Sequence, residues 1–421
     1  MNTPIPPTGE TGLQRRLGVS DAVVIGLGAM IGAGIFAALA PAAAAGGSGL
    51  LLGLALAALV AYCNATSSAR LAARYPRSGG TYVYGRERLG DFWGYLAGWG
   101  FVVGKSASCA AMALTVGSYV WPGQEHAMAV AAVVALTAVN YAGVQKSAWL
   151  TRGIVAGVLA VLAAVVTACL TGGSSEAARL DIGTDATIGG VFQAAGLLFF
   201  AFAGYARIAT LGEEVRDPVR TIPRSIRIAL GITLVVYGAV AVTVLSVLGP
   251  DRLADATAPL ADAVRAAGVP GLVPVVQVGA AIAALGSLLA LILGVSRTTL
   301  AMARDGHFPR SLAAVHPRFR VPHRAELAVG AVVVVLAATM DVRGAIGFSS
   351  FGVLAYYAVA HAAAFTLTPD EGRAPRAVPV LGLIGCVALA FALPWTSAVS
   401  GAAVLVLGAA LYGVRRAIGG T

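Results

Sequence analysis

The chain has 421 residues, of which 58% are hydrophobic and 11% charged, and its formal net charge is +10. Soluble domains carry about 25% charged residues, so this composition excludes a soluble globular protein and makes the chain an integral membrane protein. In that setting the basic excess reads as membrane topology, with no nucleic-acid signal beyond it.

Taken in order, residues 1–20 are polar, contain proline and carry Arg15 and Arg16. They lack a secretory signal, so a cytoplasmic tail over residues 1–18 is expected. Twelve apolar runs follow, each of roughly 17 to 30 residues and so long enough to cross a bilayer. They centre near Gly32, Ala58, Ser106, Leu136, Leu162, Leu198, Ala239, Leu285, Val333, Ala355, Ala388 and Leu405. With the N-terminus inside, Arg179, Arg252, Arg265 and Arg343 fall in external loops, and Lys105 and Arg207 fall within spans. All the other Lys and Arg of the 29 fall in or beside cytoplasmic segments. This positive-inside bias predicts a multi-pass protein with both termini in the cytoplasm, placed in the plasma membrane. The loops are short, so no soluble domain is expected. Cys63, Cys109, Cys169 and Cys386 all sit in apolar runs with no CxxC or Cys/His cluster, so they read as small buried hydrophobes rather than metal ligands.

The first run holds the stretch around which the chain is organised, Gly26-Leu-Gly-Ala-Met-Ile-Gly-Ala-Gly-Ile-Phe36. Each glycine costs a helix interior about 1 kcal/mol relative to alanine. A lipid-facing helix cannot expose broken backbone, because an unsatisfied N–H in hydrocarbon costs several kcal/mol. The cluster is therefore a packing face of the small-xxx-small kind, or an unwound helix lining a cavity. The sixth run is interrupted as well, at Phe199-Phe-Ala-Phe-Ala-Gly-Tyr-Ala-Arg207. The two interruptions lie five spans apart, and an odd offset inverts the second unit relative to the first. Paired broken helices in two such halves point to a transport site near the bilayer midplane, so the unwound reading outranks packing.

These motifs resemble the amino acid–polyamine–organocation (APC) superfamily. Gly28 to Phe36 is similar to its first-helix signature. Phe199 to Gly204, followed by Glu213-Glu-Val-Arg-Asp-Pro-Val-Arg-Thr-Ile-Pro-Arg224, resembles its sixth-helix segment. Ser296 to Gly306 resembles the end of its eighth helix, and Pro76 to Tyr82 its loop after helix two. The resemblance covers nearly the whole chain and is closest to prokaryotic relatives of the cationic amino acid transporters. It implies an all-α leucine-transporter-type fold: a five-plus-five inverted repeat over residues 19–368 with helices 1 and 6 unwound. Helices 11 and 12 and a short cytoplasmic C-terminus then occupy residues 369–421.

A zwitterion carries an anion and a cation a few ångströms apart, and a broken helix offers N–H groups to one and carbonyls to the other. The resemblance implies that Gly32, Ala33 and Gly34 offer N–H groups to a carboxylate, while Met30, Phe200 and Ala203 offer carbonyls to an amine. It also implies that Phe200, Phe202 and Tyr205 wall the pocket, against core packing as the plainer reading. Many relatives carry an acid where this chain has Ala206, and Arg207 follows it here. Proton-coupled relatives can carry a lysine where this chain has Val158. Lys105 is the available replacement: it lies fourteen residues after Asp91, or about 21 Å into the span, and an ionisable group at that depth is a functional candidate. Arg207 suits either a structural pair with Glu213 or Glu214, or contact with substrate. His361 reads as a satisfied core histidine.

All 19 acids sit at span ends or in loops. With no carboxylate at mid-membrane, a neutral amino acid is the expected substrate, or an acidic one if Lys105 or Arg207 faces the cavity. The expected function is a secondary active amino acid transporter, proton-linked or exchanging, with amino acid, proton and lipid bilayer as partners, no cofactor, and a monomeric or homodimeric state. A cationic substrate stands as the alternative. A membrane-embedded enzyme lacks an HExxH, a GxSxG or an acidic pair, and a transport-inactive sensor lacks a soluble domain.

Overall fold

The computed structural model describes residues 17–76, 79–143, 148–209 and 214–419. Most of the expected tail, and Glu213 with it, lies outside the described residues. Those described are helical apart from loops and one isolated bridge between Leu17 and Val215. Among the described residues, nine helices are long and apolar enough to cross a membrane. Glu125–Tyr141, His323–Thr339 and Ala377–Ala392 are shorter, at 17, 17 and 16 residues, and complete the set of twelve. They are the fourth, ninth and eleventh spans.

The first span runs through Val19–Met30, Ala33–Ala37 and Leu39–Gly46, and the second is Leu50–Arg74. A short helix, Thr81–Leu89, leads to the third span, Asp91–Val120. The fifth is Ala148–Thr171, and the sixth runs through Ile188–Phe202, Ala203–Tyr205 and Ala206–Ala209. The seventh, Pro218–Ala254, turns at Gly249, whose φ of 72° breaks the helix just before Pro250. A cap helix, Pro259–Ala266, leads to the eighth, Val273–Arg304; the tenth and twelfth are Val342–Phe365 and Trp395–Gly419.

Packing among these helices carries the repeat more firmly than the sequence does. The first span packs on the seventh and the second on the sixth; adding five to each member exchanges one pair for the other. The third–eighth and fourth–ninth pairs map onto themselves, and third–tenth maps onto eighth–fifth. Spans 1, 2, 6 and 7 thus form one body and spans 3, 4, 8 and 9 a second, with 5 and 10 bridging them.

Two polar ties fasten the first span to the sixth. At the end of the bundle holding most basic residues, Leu17 N–H donates to the Glu214 carbonyl at 3.1 Å and Arg216 N–H donates to the Leu17 carbonyl at 2.9 Å. At the opposite end, Ser48 donates its N–H and its hydroxyl to the Asp185 carboxylate, both at 2.7 Å. Those bonds, the backbone N–H foremost, hold the Asp185 carboxyl below the usual carboxylate range.

Candidate functional site

The helix ending at Met30 is broken at Ile31 (φ −79°, ψ 40°) and Gly32 (φ −88°, ψ −135°), and helical geometry resumes at Ala33. The first N–H groups of the resumed helix have no partner in their own helix. Farther along, Pro41 lacks the N–H that would reach Ala37, and the chain bends at Ala38. In the sixth span the interruption takes another form. Ala203–Tyr205 tightens into a 3₁₀ turn, with Ala203 at φ −65° and ψ 0°.

The two interruptions meet. A side chain at Gly204 would strike the Ala29 carbonyl and come within 2.5 Å of Met30 N. One at Gly34 would lie 2.6 Å from Ala201 Cα. Only glycine lets the backbones approach this closely. Met30, Ala33, Gly34, Phe200, Phe202, Ala203 and Tyr205 are all buried here, and so is Gly32, whose Cα faces Ser287.

Two anchors escaped the sequence reading. The Tyr237 hydroxyl lies 2.6 Å from the Met30 carbonyl and 3.0 Å from that of Ala201, bridging the two broken helices. The Ser287 hydroxyl donates to the Gly28 carbonyl at 3.1 Å. A tyrosine or serine in an apolar run has no periodic signature, so neither was visible before the spans were placed together. The Met30 carbonyl expected to face an amine thus already accepts a hydrogen bond. Around this junction Phe202 meets Tyr237 edge-on at 5.2 Å between ring centroids, and Tyr205 stacks on Tyr357 at 5.3 Å.

A cavity of about 300 Å³ opens from the less basic end and reaches Phe36 and Tyr119. Phe36 lies about one helical turn beyond Gly32. Tyr119 meets it edge-on at 5.8 Å and donates its hydroxyl to the Phe36 carbonyl at 3.0 Å, and Leu260 N–H of the cap helix donates to the same tyrosine oxygen. This pair closes the floor of the cavity above the junction.

The ionisable candidates lie in different places. Lys105 is buried in the third span, and no hydrogen bond or ion pair to it occurs among the described residues. One turn on, Ser108 and Ser349 share a 2.5 Å hydrogen bond, and a side chain at Gly104 would stand 3.2 Å from Gly352 Cα. The third and tenth spans therefore touch backbone to backbone at the level of Lys105. Arg207, just past the sixth-span turn, interacts with Glu214 and, as a like charge, with Arg297. Val158 is buried in the fifth span. His361 is a satisfied core histidine, with Ser67 at 3.0 Å from Nδ1 and Asn64 against Nε2. No cluster of metal-ligating residues occurs among the described residues.

At the basic end, Glu371 accepts from Arg74 at 3.0 Å and from Arg88, joining the second span, the short helix after it and the tenth–eleventh loop. The Thr368 N–H and these two guanidinium groups hold its carboxyl at about 2. Tyr82 and Arg86 converge on Asp305 at 2.5 and 2.6 Å beside His307. Partial burial, then the Arg86 charge, keeps the His307 imidazole below its ordinary value.

Comparison with known proteins agrees with this architecture. Residues 17–411 match the family described as "Amino acid permease". The chain is 77% identical over 406 residues to an uncharacterized transporter of Mycobacterium tuberculosis, covering 96% of this chain and 92% of that one. It is 25% identical over 437 residues to the branched-chain amino acid permease BcaP of Bacillus subtilis, covering 96% and 94%. It is 30% identical over 376 residues to cationic amino acid transporter 4 of Homo sapiens, covering 83% of this chain and 59% of the human one.

Proposed function

The chain belongs to the amino acid permease family, and on that premise we propose that it is a proton-coupled secondary transporter that moves neutral amino acids by alternating access. The observation that carries this reading is the meeting of two helix interruptions within the bundle, with the Met30 and Ala201 carbonyls facing one hydroxyl. The substrate carboxylate takes the N–H groups of Gly32, Ala33 and Gly34. The ammonium takes the carbonyls of Met30, Phe200 and Ala203, displacing the Tyr237 hydroxyl from Met30. Phe200, Phe202 and Tyr205 border the side chain. The cavity above Phe36 and Tyr119 is the entry from outside. The basic end faces the cytoplasm, as does the tail over residues 1–18, and the protein sits in the plasma membrane as a monomer or homodimer.

Lys105 couples the cycle to protons. Protonated, it donates to backbone carbonyls and favours one conformation; neutral, it releases them and shifts the population. Arginine cannot replace it, because a guanidinium keeps its charge.

Uptake of labelled amino acids into proteoliposomes, with and without an imposed pH gradient, tests the reading. Alanine, serine, leucine or phenylalanine should compete better than arginine, lysine or putrescine. Lys105→Ala should lose accumulation driven by the gradient while keeping exchange at equal pH, and Lys105→Arg should fail likewise. Competition by arginine alone would move the chain to the cationic class. Gradient-driven accumulation by Lys105→Ala would make that lysine structural.

A further inference from the structure

The sequence placed every acid at a span end or in a loop, where water is at hand. Glu326 departs from that pattern. It lies in the first turn of the ninth span, His323–Thr339, yet it is 0% exposed, and neither carboxylate oxygen has a hydrogen-bond partner among the described residues. Buried side-chain polar atoms are nearly always bonded, so an orphaned carboxyl calls for an explanation. An isolated carboxylate held as an ion in a low-dielectric interior is costly, and a bound proton removes that cost.

The charged neighbour of Glu326 is Arg297 of the eighth span. Arg297 is exposed to water, and it acts as a like charge on Arg207, which Glu214 attracts. Other charged groups on the elements packed against the ninth span are accounted for. The third span carries Asp91, which bonds Arg86, and Lys105; the fourth carries Glu125 and His126 at the opposite end, where His126 Nδ1 lies 2.8 Å from the Ala337 carbonyl of the ninth span. The eighth span also ends in Arg304, the short turn after it carries Arg310, and the ninth span itself carries His323 and Arg324. The result is a row of four charges, Glu326–Arg297–Arg207–Glu214, with two arginines facing each other in its middle, that leads from a buried carboxyl to the half-helix after the sixth-span turn.

We propose that Glu326 is a proton-binding site whose occupancy sets, through Arg297, how firmly the half-helix Ala206–Ala209 is held at the basic end. Ionised, Glu326 draws Arg297 to itself and relieves the repulsion on Arg207, so the Arg207–Glu214 attraction keeps the half-helix docked. Protonated, it leaves the Arg297 charge uncompensated against Arg207 and favours opening. Water at Arg297 supplies and accepts the proton. This site is separate from Lys105 and does not depend on which amino acid is carried.

The test reads the half-helix without substrate. Ala209 is buried, and the four native cysteines are buried too, so Ala209→Cys gives a thiol that a water-soluble maleimide reaches only on opening. Purified full-length protein is labelled between about pH 5 and about pH 9, a window that lies above the titration of exposed carboxyls near pH 4 and reaches the about 8–9 documented for buried ones. Rates are corrected against glutathione at each pH. The corrected rate should fall severalfold as pH rises. Glu326→Gln should label fast, and exposed Arg297→Gln slowly, both without pH dependence. A flat corrected rate in the parent, or an unchanged pH profile in either variant, overturns the proposal. Loss of amino acid uptake in the parent would count against the transport reading and leave this one to the labelling result.

Discussion

The two helix interruptions occupy equivalent places in the repeat and are built differently. In the first span, Ile31 and Gly32 leave helical geometry altogether, and a new helix begins at Ala33. In the sixth, the backbone never leaves the helical region; it only tightens into a 3₁₀ turn over Ala203–Tyr205. One side therefore presents free backbone groups, and the other presents a close-packed surface against which they are held. Tyr237 serves both, through Met30 on one side and Ala201 on the other. The lesson is that an inverted repeat conserves where the backbone is interrupted without conserving how.

That asymmetry can be attacked from either side. The largest effect is expected at Gly204, where even a methyl group strikes the Ala29 carbonyl. Gly204→Ala should abolish uptake and lower the melting temperature in detergent, because backbone rather than a flexible side chain must move. Retained uptake would mean that the two interruptions do not touch during the cycle. Gly34→Ala should follow closely, since Ala201 Cα is its nearest neighbour. Tyr237→Phe keeps the ring against Phe202 but strips the hydroxyl from two buried carbonyls, a loss of about 1–3 kcal/mol. A fall in uptake of roughly tenfold with a lower melting temperature is expected. An unchanged variant would make the bridge incidental.

Much of this was legible beforehand because it rests on composition and on glycine. Apolar run length gave twelve spans, and the clustered glycines of residues 26–36 with the Phe199–Arg207 interruption marked both breaks. Tyr237, Ser287 and Glu326 were not legible. Their roles depend on which side of an apolar helix they occupy, and an all-round apolar helix has no polar face to set that angle. Glu326 misled for a second reason: three residues into a span reads as the water interface, whereas in the fold that position is fully buried.

The smallest effects should come from the ties at the ends. Glu371 has its folded-state carboxyl lowered to about 2, against about 4.3 in an unfolded chain. Its contribution is therefore complete above about pH 4.3 and is lost as pH falls toward the folded value. Glu371→Gln should melt slightly below the parent at neutral pH, with the gap closing in acid. A constant gap would show that the carboxylate charge is not what Arg74 and Arg88 hold. Asp185→Asn should weaken the Ser48 tie and lower the melting temperature by a similarly small amount while leaving the Leu17–Val215 tie intact, which a thermal scan of the single and combined variants resolves.

Those two ties have a mechanical meaning. The first and sixth spans run antiparallel and are fastened to each other above and below, through Ser48 with Asp185 and through Leu17 with Glu214 and Arg216. A pair of rods pinned at both ends cannot slide lengthwise past each other; it can only pivot as a unit or bow in the middle. The middle is where both rods are jointed. The freedom left to them is that of a toggle, in which bending gathers at the joints, Ile31–Gly32 in one rod and Ala203–Tyr205 in the other.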